Sequence, residues 1–193
     1  AQYIGDSSLA SDDETFDISV KQLAASQINT GNYLQPRSRL VKAGDYSFDL
    51  SINNVTYEFQ FSVESSETLN NIQNKLARLI NRSNIGLTAT IKEDSLGNTA
   101  INIESEATGI SGSSPVIFKI EPSQNSDKTD VSANAALIST LGLDRVTQYP
   151  SNAIFNINDE ERSSMNNLVT INKSYALELS EVTDNPVTIS LKA

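Results

Sequence analysis

The sequence predicts an α+β fold that is mostly β, in which antiparallel sheets carry one amphipathic helix. Two long runs of alternating apolar residues flank Asn53-Asn54, and an apolar stripe at helical spacing follows them. Breaks at Pro36 and Pro150 divide the rest of the chain into further short strands. The 193 residues are enough for one large domain or two small ones with real cores.

The strongest pattern is a hairpin that opens a unit running from Gly44 to Ile103. Asparagine tolerates positive φ, so Asn53-Asn54 is suited to a tight turn. Such a turn places the alternating apolar residues of both strands on one face, and that face must be covered. These residues are Tyr46, Phe48, Leu50 and Ile52 before the turn, and Val55, Tyr57, Phe59, Phe61 and Val63 after it.

The predicted cover is a helix from Leu69 to Ile80, ending at Ile80-Asn81. Its apolar residues form one stripe: Leu69, Ile72, Leu76, Leu79 and Ile80. We expect Ser65 or Ser66 to cap its start, with Glu67 near the positive end of the helix dipole. Asn84 and Gly86 follow its end and can terminate it.

The unit continues with alternation at 87–91 and 101–103, which gives the order β-β-α-β-β and predicts a helix laid on an antiparallel sheet. Residues 14–21 predict a half-buried strand, whereas Leu23–Leu34 is either a continuing strand or an irregular arm. A further strand follows Pro115, a short helix from Ala133 to Leu141 is closed by Gly142, and four more strands follow Pro150. The last four are 153–157, 168–171, 175–179 and 187–191.

Composition excludes several function classes. The formal charge is −10, and a Lys/Arg stripe for binding phosphates is missing, so we predict neither nucleic acid nor an anionic membrane as a partner. The chain has no Cys and no His, which removes thiolate and imidazole metal sites and the usual base of a catalytic triad. We therefore predict that the protein is not an enzyme and has no catalytic, cofactor or metal residues.

The remaining candidates for chemistry have simpler interpretations. Asp12-Asp13-Glu14 and Glu160-Glu161 lie beside turns and are typical of a solvated surface. Asp127 and Asp130, with Asn125 and Ser126, offer oxygen ligands to calcium, but the twelve-residue loop pattern is missing. Ser111-Gly112-Ser113-Ser114 lacks an activating His, and Gly109-Ile110-Ser111-Gly112 lacks the Lys of a phosphate-binding loop. The aromatic residues of the hairpin could stack sugars or bases, but their strict period of two favours a core.

An ordered set of short motifs runs through the chain from residue 16 onward. Leu76-Ala77-Arg78-Leu79-Ile80-Asn81 followed by Gly86-Leu87-Thr88-Ala89 is similar to the IN motif of flagellar hook-associated proteins. Ser105-Glu106-Ala107-Thr108-Gly109 resembles the Ser-x-x-Thr-Gly turn that often follows this motif. Further similar segments lie at 16–24, 153–157, 166–169, 177–179 and 186–189. The set and its order resemble bacterial flagellar filament cap proteins of the hook-associated protein 2 type.

This resemblance implies a split β-rich base domain, 1–40 with 146–193, and a β-β-α-β-β domain with the IN motif inserted at 41–145. It implies an extracellular structural protein of the flagellum, the head region of the filament-tip cap that assists flagellin assembly. The implied partners are further copies of the protein in a ring and flagellin subunits, with host glycans or mucin as an additional candidate. The alternative is an extracellular adhesion or carbohydrate-binding module. We also expect this chain to be a fragment of a longer protein, the head without the terminal helices.

Overall fold

A computed structural model describes residues 2–3, 14–124, 129–171 and 175–191. It confirms a mostly β architecture of antiparallel sheets. Within these ranges the strands are β1 (Gln2–Tyr3), β2 (Glu14–Gln22), β3 (Ser26–Thr30), β4 (Gly44–Ile52), β5 (Val55–Val63), β6 (Leu87–Glu93), β7 (Thr99–Thr108), β8 (Phe118–Pro122), β9 (Val146–Gln148), β10 (Ala153–Ile157), β11 (Glu160–Ser164), β12 (Leu168–Ile171), β13 (Tyr175–Glu178) and β14 (Val187–Leu191). The helices are α1 (Leu69–Ser83) and α2 (Val131–Leu141).

The chain forms two compact units that alternate along the sequence. Unit 1 comprises Ala1–Ser26, Ala107–Pro115 and Pro150–Ala193, and unit 2 comprises Gln27–Glu106 and Val116–Tyr149. The two units divide the chain after Ser26 and before Pro150, and a short central segment belongs to unit 1. The split base domain at 1–40 and 146–193 stays a prediction.

Unit 2 contains two sheets, with the strand orders β5-β4-β8 and β6-β7-β3-β9. The predicted hairpin is present: Asn53 and Asn54 have φ angles of 55° and 61°, and Ile52 pairs with Val55 across the turn. The order β-β-α-β-β is also present, but its two strand pairs lie in different sheets. A single sheet under the helix was therefore the wrong expectation. β8 extends the sheet of the first strand pair, and β3 extends the sheet of the second.

One apolar core joins α1 to the hairpin, as the helical stripe predicted. Leu69, Ile72, Leu76 and Ile80 are at most 1% exposed and share a cluster with Phe48 and Leu50 of β4. Leu79 is only partly buried at the edge of this cluster. The helix continues one turn beyond Ile80 and ends at Asn84, whose left-handed backbone provides the predicted stop.

Buried amides explain why the segment Leu23–Leu34 has no apolar alternation. Its strand β3 carries Gln27, whose Oε1 accepts hydrogen bonds from the N–H groups of Ile117 and Phe118, at 2.7 and 3.0 Å. Gln27 is fully buried, and its Nε2 donates to the carbonyl of Phe118. A strand that buries polar residues lacks apolar alternation, so the pattern alone could not identify it.

A second buried amide completes sheet β5-β4-β8 where β8 ends. Asn134 on α2 is fully buried, and its Oδ1 accepts a hydrogen bond of 2.9 Å from the N–H of Ser47. Its Nδ2 donates to the Oγ1 of Thr129, which lies 2.7 Å from the Oγ of Ser47. The side chain therefore takes the place of a strand neighbour, and no buried backbone donor is left unpaired at Ser47.

Unit 1 is built from sheets with the orders β11-β10-β2-β14 and β1-β13-β12. Alternate residues of β2 and β10 form its core with β12 and β13; these are Phe16, Ile18, Val20, Phe155, Ile157, Val169, Ile171, Tyr175 and Leu177. Asn167 closes one side by a reciprocal amide pair, since its Oδ1 accepts from the N–H of Ala24 and its Nδ2 donates to the Ala24 carbonyl.

Candidate functional site

The IN motif forms a geometric unit at the end of α1. Asn81 lies in the last turn of the helix, and its Oδ1 accepts a hydrogen bond of 2.7 Å from the N–H of Ala89. Its Nδ2 donates to the carbonyl of the same residue at 2.9 Å. Gly86, with φ of +91°, provides the turn between the helix and β6. The motif therefore closes the outer edge of β6 with a side chain, which is a structural task.

The start of α1 is fixed by a different residue from those we predicted. Thr68 is the N-cap: its Oγ1 accepts from the N–H of Asn71, and the Oδ1 of Asn71 accepts from the N–H of Thr68. Ser65 and Ser66 were therefore the wrong candidates. This reciprocal arrangement is a capping box, and it satisfies two backbone donors at once.

Glu67 and Lys75 form a salt bridge that ties α1 to the end of β5. The Lys75 Nζ lies 2.7 Å from the Glu67 Oε1 and donates to the carbonyl of Ser62 at 2.6 Å. The hydrogen bond from Lys75, helped by one from the N–H of Glu64, holds the pKa of the Glu67 carboxyl below its usual value. Only 16% of the Glu67 side chain is exposed, so water screens the pair weakly.

The hairpin aromatics pack mostly in the core. Tyr46, Phe48 and Phe61 are buried, and the rings of Phe48 and Phe59 stack with centroids 5.1 Å apart. Burial raises the pKa of the Tyr46 phenol, whose Oη donates to the carbonyl of Lys42. Only Tyr57, 36% exposed, presents a ring to solvent from this set. An aromatic platform for sugars therefore finds no support among these residues.

The Thr-Gly turn predicted after β7 is part of unit 1. Thr108 donates its hydroxyl to the carbonyl of Met165 at 2.7 Å, and the N–H of Gly109 donates to the carbonyl of Ala25. Gly109 has φ of +78°, and a Cβ there would collide with the backbone of Met165. The glycine is required by both its backbone conformation and this close approach.

The acidic candidates do not converge. Glu160 and Glu161 are exposed on β11, where Glu161 lies 3.4 Å from the Lys21 Nζ. Asp130 caps α2 by accepting from the N–H of Ser132, and the described residues contain no group of acidic side chains that could hold a metal ion. Asp12, Asp13, Asn125, Ser126 and Asp127 lie outside the described residues, and for Glu14 only the backbone is described.

Two exposed leucines in unit 2 were missed in the sequence. Leu96 is 84% exposed at the β6–β7 turn, which Asp94 fixes by accepting from the N–H groups of Leu96 and Asn98. Leu40 is 70% exposed in a segment, 35–43, that carries three basic residues and no acidic one. The available signal was an apolar residue inside a turn or a basic loop. Leu96 is held out on the backbone that Asp94 anchors.

The basic loop is fixed to α1 by its own backbone. The carbonyls of Pro36 and Ser38 accept from the N–H groups of Asn70 and Leu69, at 3.1 and 2.8 Å. These bonds satisfy two donors of the first helical turn.

Within the described part of the chain, neither helix is long and apolar enough to cross a membrane.

Comparisons with known proteins identify the fold. No family model and no curated protein sequence matches this chain. Among solved structures, it is similar to the D2-D3 domains of the flagellar cap protein FliD from Escherichia coli, with 18% identity, a TM-score of 0.68 and coverage of 100% of this chain and 93% of that one.

Two further structures are as similar. The D2-D3 domains of the flagellar cap protein FliD from Serratia marcescens show 16% identity, a TM-score of 0.67 and 98% coverage of both chains. FliD (HAP2) from Pseudomonas aeruginosa PAO1 shows 19% identity, a TM-score of 0.67, and coverage of 99% of this chain and 83% of that one. The chain thus has the fold of flagellar cap D2-D3 domains, as the motif resemblance implied.

Proposed function

We propose that this chain is the head region of a flagellar filament cap, an extracellular structural protein at the filament tip that assists the assembly of flagellin. The observation that carries the proposal is the match in fold to cap-protein D2-D3 domains over the whole chain. The ordered motifs add support, because the structure gives Asn81, Thr108 and Gly109 specific structural tasks in it.

The proposed role requires binding but no catalysis. The described residues contain no metal-ligating cluster, and the chain has no His or Cys to activate a nucleophile. Contacts with flagellin and with neighbouring copies in a ring would then be reversible and borne by loops such as those of Leu40 and Leu96. We also propose that unit 2 is inserted into unit 1, since unit 1 holds the segments before Gln27 and after Tyr149.

The adhesion alternative has no specific observation in its favour. It was based on a β-rich acidic surface and on hairpin aromatics that could stack sugars. Burial of Tyr46, Phe48 and Phe61 removes most of that platform. No glycan is therefore proposed as a partner.

The experiment is to locate the protein on intact flagella and to remove it. In the source bacterium, gold-labelled antibodies against this chain should mark filament tips in electron micrographs. Deletion of the encoding gene should release unpolymerised flagellin into the medium, because subunits would leave the tip before adding to the filament. Labelling along the filament side or on the cell body, with normal filaments after deletion, would overturn the proposal.

A further inference from the structure

The outer edge of β5 is an unpaired strand edge. β5 is the first strand in the order β5-β4-β8, so β4 is its only neighbour among the described strands. The two-residue turn makes Ile52 and Val55 a hydrogen-bonded pair, and such pairs alternate along an antiparallel ladder. The backbone groups that point away from β4 therefore belong to every second residue of β5: Thr56, Glu58, Gln60 and Ser62.

Only one end of this edge is occupied. The carbonyl of Ser62 accepts a hydrogen bond from the Lys75 Nζ. The outward N–H and C=O groups of Thr56, Glu58 and Gln60 meet no partner among residues 2–3, 14–124, 129–171 and 175–191. Since three successive outward residues are free, the edge offers several backbone hydrogen bonds to another strand.

The other edges are shorter or are blocked. Asn81 closes the edge of the seven-residue β6 at Ala89, whereas the remaining edge strands in the described chain have five residues or fewer. β5 has nine residues, contains no Lys or Pro, and pairs with β4 without a bulge. It therefore lacks the usual devices that protect an edge, apart from the single charge of Glu58.

That charge belongs to a row of carboxylates across the sheet. Glu121, Asp49 and Glu58 are direct cross-strand partners on β8, β4 and β5. Glu121 is paired with Lys119 at 2.7 Å, and Asp49 accepts from the Ser123 hydroxyl. Among the described residues, Glu58 receives only the amide of Gln60, at 3.0 Å. Because like charges opposite each other are destabilising, a Lys or Arg is the favoured neighbour of Glu58 on an added strand.

We propose that Val55–Gln60 is a strand-addition site for an extended segment of a partner protein with a basic residue opposite Glu58. Side chains on the other face of that segment would meet Val55 and Tyr57, which are 46% and 36% exposed. A second copy of this chain is disfavoured, because two-fold pairing centred on Glu58 opposes two carboxylates and each copy carries a charge of −10. The site does not depend on the role proposed at the filament tip.

The test uses two labelled peptides, Thr-Val-Thr-Val-Lys-Val-Thr-Val-Thr and its counterpart with Glu in place of Lys. In fluorescence anisotropy titrations, the chain should bind the Lys peptide about five- to tenfold more tightly than the Glu peptide. Glu58→Lys should reverse this preference. Gln60→Pro should abolish binding of both peptides, because it removes an outward donor without removing a bond to β4. Gln60→Ala is the matched control and should bind normally.

Three results of the peptide titrations would overturn the proposal. These are equal binding of the two peptides, an unchanged preference in Glu58→Lys, and full binding by a folded Gln60→Pro variant. Light scattering of the chain without peptide tests whether the edge pairs with a second copy instead. Dimers that Gln60→Pro disrupts would make a second copy the occupant of the edge, and would thus overturn the assignment to a different partner.

Discussion

The side-chain amide of Asn81 hydrogen-bonds to both backbone groups of Ala89, as an adjacent strand would. The contact joins the last turn of α1 to the edge of β6, eight residues further along the chain. Asn167 makes the same reciprocal pair with Ala24 in unit 1. Each unit thus uses an asparagine to satisfy backbone groups that the ladder leaves open.

Replacing Asn81 by Asp should lower the free energy of unfolding by about 0.5–1.5 kcal/mol, because the carboxylate cannot donate to the Ala89 carbonyl. Urea unfolding measures the change. Arg78→Ala is the control on the exposed face of the same helix, and should alter stability by less than about 0.5 kcal/mol. Equal effects of the two substitutions would contradict a specific role for the amide pair.

Leu76→Ala should cost about 2–5 kcal/mol, because Leu76 is fully buried between α1 and the hairpin. Leu96→Ala removes the same atoms from an exposed position and should leave stability within about 0.5 kcal/mol. Denaturant melts of the two variants compare burial directly. A negligible loss in Leu76→Ala would show that the stripe does not pack as described.

The Glu67–Lys75 salt bridge should make stability depend on pH. The folded-state pKa of Glu67 is lowered from 4.5, so the unfolded chain binds its proton at a higher pH than the folded one does. The stabilisation by this salt bridge is therefore complete well above pH 4.5, and it is lost as the pH falls through the folded-state pKa of Glu67. The difference in stability between the parent and Glu67→Gln should shrink across that range.

Glu64→Gln is the control for this pH dependence, because Glu64 contributes its backbone N–H rather than its carboxylate to the arrangement. The part of the pH dependence that Glu67→Gln loses should be retained in Glu64→Gln, because that variant keeps the Glu67–Lys75 salt bridge. Urea unfolding between pH 3 and pH 7 checks both variants. A flat profile for Glu67→Gln would mean that the salt bridge contributes nothing.

Gly109→Ala should destabilise unit 1 by about 3 kcal/mol or more, because it adds a collision with Met165 to an unfavourable positive φ. Gly112 also has positive φ, at +67°, but a Cβ there meets only open space. Gly112→Ala should therefore cost only about 1 kcal/mol. Thermal unfolding of the two variants separates the effect of backbone strain from that of close packing.

Leu40→Ser combined with Leu96→Ser tests the loops proposed to contact other subunits. In cells that produce the protein, the double variant should release more flagellin into the medium than the parent does, with an unchanged thermal midpoint. Val182→Ser, at a position 56% exposed in unit 1, is the control. Normal filament growth with the double variant would remove these loops from the proposed contacts.

Local patterns predicted local structure well. Alternation located both strands around Asn53-Asn54, and helical spacing located the stripe of α1. The N-cap was missed because three hydroxyl residues precede the helix, and only Asn71, three positions after Thr68, distinguishes the right one. Asn84 and Gly142 ended their helices as predicted, since each adopts the left-handed backbone expected there.

The pairing of strands that lie far apart in the sequence could not be predicted from the apolar alternation. The sequence does not show that β3 lies between β7 and β9, because Gln27 and Asn29 interrupt the alternation with buried amides. The exposed leucines and the free edge of β5 were missed for a related reason. Leu96 inside a turn and Thr56 on a strand have ordinary local sequences, and only the fold shows what surrounds them.

The pairing of β2 with β14 has a consequence for the order of folding. Phe16 lies opposite Ile189, so unit 1 closes through contacts between residues more than 170 positions apart. Unit 2 uses residues no later than Tyr149, and its hairpin and helix close over short loops. Short loops close faster than long ones. Because synthesis starts at the N-terminus, the residues of unit 2 are also available before β14. During synthesis, unit 2 can thus form its native contacts before β14, the edge strand that pairs with β2, has been made.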